Sequence, residues 1–414
     1  MVTLPVTERP CVNARIVSRH ARVIGLSILC MATAAPCPAQ EIDVTDVIRM
    51  VLKRPPAPPP APGDAPRVVF TMTPTIGSKP STGLTFGALA SLDFYRGDTS
   101  TTGISTTVMG FSYSLKDQVN VIARLSVFAS GNRFLFHGDN RLQWTSQDTL
   151  GLGMDTSSSD RVNLRFDRFR ISETAYAAIR PGLYVGAGAH VSVHRNVRRN
   201  DAASADTPYD VYTRDQGFDP DGQSSLAPVV GLVRDTRDNI INASRGSLMS
   251  LAVRPYVQWL GSDSTWQELL LEFRGYRAVS GDGRRRLALW AMADGVLTGK
   301  APYYDLPATA GDPAGRSGRG YAEGHFRGDR LLYAEAEYRA TLTRNGLLGV
   351  VAFLNATTVS DRTSGQHLFD RVAPAGGAGL RVLFSKESKT NLCIDIGFGE
   401  RGSRGLYFGL QEAF

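Results

Sequence analysis

The sequence predicts an all-β protein, a single 16-stranded antiparallel transmembrane β-barrel. From residue 67 to residue 414, stretches of about ten residues alternate between apolar and polar side chains, and clusters of Gly, Asp, Ser and Asn separate them. After residue 40 no apolar run reaches the ~18 residues that a spanning helix needs. If the chain crosses a membrane, it therefore crosses as strands.

The segment 332–342 shows the alternation. Its odd positions carry Tyr333, Glu335, Glu337 and Arg339, and its even positions carry only Leu, Ala and Tyr. In a soluble sandwich the apolar face would need a partner sheet. In a membrane barrel it meets lipid, where an arginine at the midplane would cost ~2–4 kcal/mol. The charged face is therefore expected to line the lumen.

Sixteen strand starts follow from this pattern: residues 67, 82, 101, 116, 131, 161, 182, 225, 246, 265, 284, 329, 347, 372, 390 and 404. Long connections, near 147–160, 195–224 and 298–328, follow odd-numbered strands. Several connections after even-numbered strands are short, with 235–245 as an exception. Because periplasmic turns are short and outer loops long in bacterial barrels, both termini are expected in the periplasm.

The N-terminal residues predict export. Residues 1–39 resemble a signal peptide, with arginines up to Arg22, an apolar run and small residues. Cleavage is expected after Ala39, with Ala34 as the alternative. Residues 40–66 are expected to form a short amphipathic helix, over 41–53, and a Pro-rich linker. Four alternatives remain for this segment: it plugs the lumen, lies on the membrane surface, binds a periplasmic partner, or is an unordered tail.

Charge and motifs exclude several functions. The net charge is +7, and the four arginines and one glutamate of residues 1–39 leave +4 for the remainder. The sequence has no block of basic residues with interleaved aromatics, so it gives no sign of nucleic-acid binding. Outside the signal the only cysteine is Cys393, and no common catalytic motif occurs. His190 and His194 would share a strand face but stand too far apart to ligate one metal. We therefore expect no enzyme activity, metal or cofactor.

Three stretches resemble the BamA/TamA-type outer-membrane assembly superfamily, whose barrel is also called the bacterial surface antigen domain. The segment 231–251 carries an Arg-Asp-x-Arg-Asp turn, formed by Arg234, Asp235, Arg237 and Asp238, and then a strand that begins at Gly246. The segment 318–339 carries an Arg-Gly-Tyr loop and a Glu-bearing strand. The terminal strand resembles an insertion signal for such barrels, through Gly405, Phe408, Leu410 and Phe414.

The resemblance implies that the sixth outer loop folds back into the lumen. Residues 318–321, here called the latch, comprise Gly318, Arg319, Gly320 and Tyr321. Glu337 is the first expected partner of Arg319 and Glu335 the second. The next strand of the family usually carries the pattern Phe-x-Asp-x-Gly. This chain has Asn355 at the position of the aspartate, which predicts fewer anionic partners for Arg319 and a looser latch.

A second departure concerns the periplasmic side, where assembly proteins of this family carry POTRA domains. Only the short helix and linker precede this barrel, so a short form without POTRA domains is expected. The resemblance implies an outer-membrane protein that assists insertion or translocation of a protein or lipid substrate through a weak seam between the first and last strands. A passive or gated pore and a surface-exposed binding protein are the alternatives. Expected partners are the bilayer, lipopolysaccharide, the insertion machinery and a periplasmic or client protein, without nucleic acid.

Overall fold

The computed structural model describes residues 41–55, 68–79, 83–156, 160–200 and 206–414. The predicted signal peptide and most of the Pro-rich linker lie outside these residues. Sixteen strands form one antiparallel sheet in chain order: β1 Val69–Lys79, β2 Gly83–Phe94, β3 Ser105–Ser114, β4 Val119–Phe128, β5 Phe134–Thr149, β6 Val162–Arg180, β7 Leu183–Arg199, β8 Gly222–Asp235, β9 Gly246–Tyr256, β10 Trp266–Ala278, β11 Arg285–Gly299, β12 Arg330–Thr341, β13 Leu348–Ser360, β14 Ala373–Ser385, β15 Thr390–Gly399 and β16 Arg404–Leu410. The predicted fold class and strand number are confirmed, and each strand begins within four residues of its predicted start.

The sheet curls into a nearly closed barrel with two chemically different faces. Outward side chains are apolar and exposed; they include Phe70, Phe111, Phe169, Leu354 and Phe398. Inward side chains on the same strands are polar or aromatic and buried, as in β12, where Glu335 and Glu337 alternate with exposed alanines. This is the arrangement of a membrane barrel, whose outer face meets lipid.

The connections differ at the two ends of the barrel. Residues 181–182 and 386–389 are short turns at the end that carries both termini, whereas long connections join β7 to β8 and β11 to β12 at the other end. We therefore call the first end periplasmic and the second extracellular. The longer periplasmic connection at 236–245 ends at Gly246, whose φ is 93°; a Cβ there would lie 2.1 Å from the carbonyl oxygen of Thr236. Only glycine fits this position.

Within the described residues, two α-helices lie outside the sheet, α1 over Val44–Val51 and α2 over Pro208–Gln216. A capping box between Asp43 and Asp46 begins α1. The same carboxylates hold α1 against the β14–β15 turn: the Lys386 backbone donates to Asp43 (3.1 Å), and Lys386 Nζ lies 2.6 Å from Asp46. The predicted helix over 41–53 thus forms as a shorter helix on the periplasmic rim. None of the helices in the described residues is long and apolar enough to span a membrane.

Candidate functional site

The loop 300–329, which connects β11 to β12, folds back into the barrel. The Arg319 side chain is fully buried there. Its guanidinium contacts Glu335 and Glu337 of β12 and lies 2.8 Å from Asp395 of β15. The Arg319 Cζ also lies 3.7 Å from the ring centre of Phe353 on β13. The latch therefore contacts the lumen wall through charge-assisted hydrogen bonds and an aromatic face.

Asp395 is a partner that the sequence reasoning missed. The sequence places it on the polar face of its strand, but it lies 76 positions after Arg319. With it, Arg319 meets three carboxylates, while Asn355 adds no charge; the looser latch stays a prediction. The only sign of this contact in the sequence is that Asp395 falls on the polar, lumen-facing side of its alternating strand.

Asn355 makes contacts that an acid could not. Its amide Nδ2 donates to the Arg319 carbonyl oxygen (2.9 Å) and to Glu335 Oε2 (3.3 Å). A carboxylate is an acceptor only, so an aspartate here would leave the Arg319 carbonyl without this donor. Asn355 therefore binds the backbone carbonyl of Arg319, whereas an aspartate could only accept a hydrogen bond from its guanidinium.

The other latch residues hold the loop backbone to the last strands. Gly320 has φ 111°, and a Cβ there would lie 2.8 Å from the Cβ of Ala375. Its backbone N–H donates to the hydroxyl of Tyr407 on β16 (2.9 Å). The Tyr321 hydroxyl donates to the carbonyl oxygen of Pro374 at the start of β14 (2.6 Å). Gly318 is also in the left-handed region, at φ 78°. The latch therefore contacts every strand from β12 to β16.

An ion-pair network extends from the latch toward the periplasm. Arg381 of β14 lies 2.5 Å from Asp395 and 2.7 Å from Glu412, and Arg339 of β12 contacts Glu337 at 2.6 Å. Glu412 belongs to residues 411–414, which we call the tail. The charged groups thus form one continuous chain from Arg319 to the tail.

The tail turns into the lumen. The strand β16 ends at Leu410, and Gln411 follows with φ 74°. Phe414 is buried, with its ring centre 5.2 Å from that of Trp290, and Arg339 Nη2 donates to its oxygen (3.0 Å). Phe414 therefore lies beyond the end of the last strand and is buried in the lumen. Whether Gly405, Phe408, Leu410 and Phe414 act as an insertion signal stays a prediction.

The first and last strands are adjacent but have no backbone ladder between them in the described part of the chain. Side chains cross this seam on the lumen side. Gln411 Nε2 donates to Thr106 Oγ1 (2.6 Å) and Ser91 Oγ (3.2 Å), and Thr390 Oγ1 donates to Asp93 Oδ2 (2.9 Å). We call these five residues the seam clasp.

Aromatic side chains cover the extracellular end of the lumen. The helix α2, in the loop between β7 and β8, brings Tyr209 and Tyr212 against Tyr303 of the loop that carries the latch. Tyr304 packs on His194 with ring centres 4.8 Å apart, and His194 Nε2 accepts from Arg168 Nε (2.9 Å). The described residues include no group of three His, Cys, Asp or Glu side chains that could hold a metal.

The predicted periplasmic turn motif divides into two parts. Asp235 pairs with Arg237 at 2.7 Å, and Asp238 accepts from the Ser244 backbone N–H at 2.9 Å. Burial and the Asp235 carboxylate act in opposite senses on the Arg237 guanidinium, and the net shift of its pKa is upward. Arg234 instead lies exposed at the end of β8 and takes no part in the turn.

Comparison with known proteins identifies the family. Residues 85–399 match the model described as the Omp85 superfamily domain.

The chain belongs to the Omp85 superfamily.

Two kinds of solved Omp85-like barrel are similar to this one. One is BamA from Haemophilus ducreyi lacking POTRA domains 1–3, with 14% identity, a TM-score of 0.53 and coverage of 83% of this chain and 69% of that one. CdiB from Acinetobacter baumannii has 12% identity and a TM-score of 0.51 over 82% of this chain and 59% of its own. CdiB from Escherichia coli has 12% identity and a TM-score of 0.51 over 86% and 63%. The chain thus spans less than two thirds of either CdiB chain.

These likenesses show a shared fold. A comparison with curated proteins found no match. The family resemblance read from the sequence is confirmed, and this Omp85-superfamily member is a bacterial outer-membrane protein.

Proposed function

We propose that this barrel assists the insertion or translocation of a protein or lipid substrate at the outer membrane. The observation that supports this is the seam, where β1 and β16 lie side by side without a ladder. An unpaired strand edge can pair with an incoming strand, which a closed barrel otherwise prevents. No catalytic step is part of the proposal.

The latch has a mechanical role in this proposal. Its contacts reach β12, β13, β14, β15 and β16, all on one side of the seam. They would keep these five strands in register while β1 moves away. The seam clasp has few polar contacts, so it would separate at a smaller cost than a backbone ladder.

The first experiment compares the outer-membrane proteome and lipid profile of a deletion strain with those of the parent. We expect selective loss of one or a few proteins, or a changed lipid profile, which would name the substrate. An unchanged profile would contradict an assembly or translocation role.

The second experiment locks the seam. In a Cys393→Ser background, Asp93→Cys and Thr390→Cys would be joined by a disulfide or a short bis-thiol reagent. We expect the locked protein not to complement the deletion, and reduction of the disulfide to restore complementation. The two single-cysteine variants are the controls. Full complementation by the locked barrel would exclude a function that needs an open seam.

A gated pore is the second candidate, because the lumen wall is polar and the latch occupies the lumen. If the protein is a gated pore, its ion conductance in planar bilayers should rise in an Arg319→Ala variant. The outer-membrane proteome of the deletion strain should then be unchanged. A surface-binding role would instead require the loop 195–224, and trimming that loop would abolish the phenotype while the barrel stays intact.

A further inference from the structure

Arg234 lies on the outer face of the barrel, at the periplasmic end of β8. It shares this face with Val230 and Leu232, which are 55% and 42% exposed. The neighbouring motif residues build the 236–245 turn, but the Arg234 side chain has no ion pair or side-chain hydrogen bond within the described residues. Arg234 is thus an unpaired cation at the edge of an apolar surface.

A groove of about 700 Å³ begins beside Arg234 on this lipid-facing wall. Met249 and Phe273 line it next to Arg234, and Phe369 also lines it. Its floor is formed by small residues, among them Ala291 and Ala334, both exposed. The volume lies within the range of small-molecule sites.

The register places the lining residues in one row that begins at Arg234, with Met249 and Phe273 next to it and the alanines beyond them. Met249 lies opposite Arg234, Phe273 opposite Met249 and Ala291 opposite Phe273; Ala334 and Ala356 continue the row. Five strand-to-strand steps of about 4.8 Å give a row of about 24 Å. Because barrel strands are tilted by 35–45°, the row runs obliquely from the periplasmic end of β8 toward the extracellular part of β13.

We propose that this groove binds one glycerophospholipid of the periplasmic leaflet, with its phosphate at Arg234 and an acyl chain along the alanine floor. A single cation at one end of a long apolar groove is complementary to a molecule with one anionic head and a long apolar chain. Arg234 lies at the periplasmic end, where the headgroups of the inner leaflet are. This position favours a phospholipid over lipopolysaccharide, which would present its phosphates at the other end.

The test uses the mature protein extracted from outer membranes in mild detergent. Native mass spectrometry counts bound lipids, and titration with phosphatidylglycerol measures affinity. We expect the wild type to retain one phospholipid. Arg234→Gln should weaken binding about fivefold, the contribution of one basic residue near lipid headgroups. Ala334→Leu should remove the retained lipid, because the added side chain fills the floor.

Two matched variants keep the test specific. Ala336→Leu adds the same side chain on the same outward face of β12 but outside the groove lining. Arg96→Gln removes an exposed arginine from the periplasmic connection between β2 and β3, also outside the groove lining. Both should bind lipid like the wild type. The proposal would be overturned if the two control variants lost as much lipid as Arg234→Gln and Ala334→Leu. It would also be overturned if Arg234→Gln and Ala334→Leu bound lipid like the wild type, or if the protein retained lipopolysaccharide instead of phospholipid.

Discussion

Arg319 places a full positive charge where its side chain has no contact with solvent. Burial disfavours the guanidinium charge, but the carboxylates of Glu335, Glu337 and Asp395 more than compensate, so the net effect raises the Arg319 pKa. Desolvation offsets much of the attraction in such a buried cluster. The larger consequence is that each member depends on the others, because removing one leaves an unpaired buried charge.

An Arg319→Ala variant should lower the free energy of unfolding by about 3–5 kcal/mol, the usual cost of breaking a buried ion pair. Arg319→Lys should recover part of this, since lysine keeps the charge without the planar fork. Urea unfolding of the refolded protein in detergent measures the change. As a control, adding Glu335→Gln to Arg319→Ala should recover part of the stability, because Glu335 pairs with Arg319, whereas Glu337 keeps Arg339 and Asp395 keeps Arg381. A wild-type unfolding midpoint for Arg319→Ala would contradict this account.

We expect His325, four residues after the latch, to make the stability of the loop depend on pH. Burial lowers its pKa to about 4, assisted by the positive charges of Arg161, Arg401 and Arg371. Because the folded pKa lies below the unfolded value of about 6.5, the loop should be most stable above pH 6.5 and weaken as the pH falls toward 4. Limited proteolysis of the loop at pH 7.5 and pH 5 measures this. His325→Gln should reduce the difference; an undiminished difference would assign the effect to other groups.

The tail is an element whose direction is set by its contacts with other elements. Gln411 turns the chain inward, and Glu412 then binds Arg381 (2.7 Å) and Asn391 (2.7 Å). Phe414 completes a buried aromatic group with Trp290 and Tyr276. Because the network also includes the latch, the two elements hold the same strands from opposite ends.

Phe414→Ala should destabilise the refolded barrel by about 2–3 kcal/mol, the apolar free energy of burying a phenylalanine. Phe398→Ala is the matched control, since Phe398 is 53% exposed on the lipid-facing side. It should change stability much less in detergent. The measurement is the temperature at which the barrel loses its compact mobility on gels. Equal effects of the two substitutions would mean that Phe414 is not packed in the lumen.

At the scale of the whole molecule, the barrel is closed by two different means. Backbone ladders join every consecutive pair of strands from β1 to β16, whereas the seam has the clasp. A hydrogen bond between neutral side chains contributes about 1 kcal/mol and one to a carboxylate, such as that of Asp93, about 1.5–3 kcal/mol, so the clasp is weaker than a full backbone ladder. The seam should therefore be the part of the barrel that opens at the lowest free energy.

A Gln411→Ala, Thr390→Val variant tests this expectation. Amide hydrogen exchange should become faster in β1 and β16 but stay unchanged in β5, β6 and β7, whose ladders are the longest. The distant strands serve as the internal control. Uniformly faster exchange would indicate global destabilisation, and unchanged exchange in β1 and β16 would show that the clasp does not hold the seam.

Much of the fold was predictable because strand formation depends on nearby residues. In β12 the alternation of charged and apolar side chains is complete within one strand, and it predicted which face each residue takes. Gly318 and Gly320 flank Arg319 in the sequence, and Glu335 and Glu337 lie only 16 and 18 positions from Arg319. The role of these residues as a latch stays a prediction.

The amino-acid sequence by itself determined the strands, their faces, the long and short connections and each of the family motifs, because each depends on side chains within about twenty positions. Only the tertiary structure decided which distant groups meet: Asp395 on Arg319, Phe414 in the lumen, and Gln411 on Ser91, 320 positions away. These contacts arise when the sheet curls and its first and last strands come together. Barrel closure fixes those distances, and no local pattern of side chains records them.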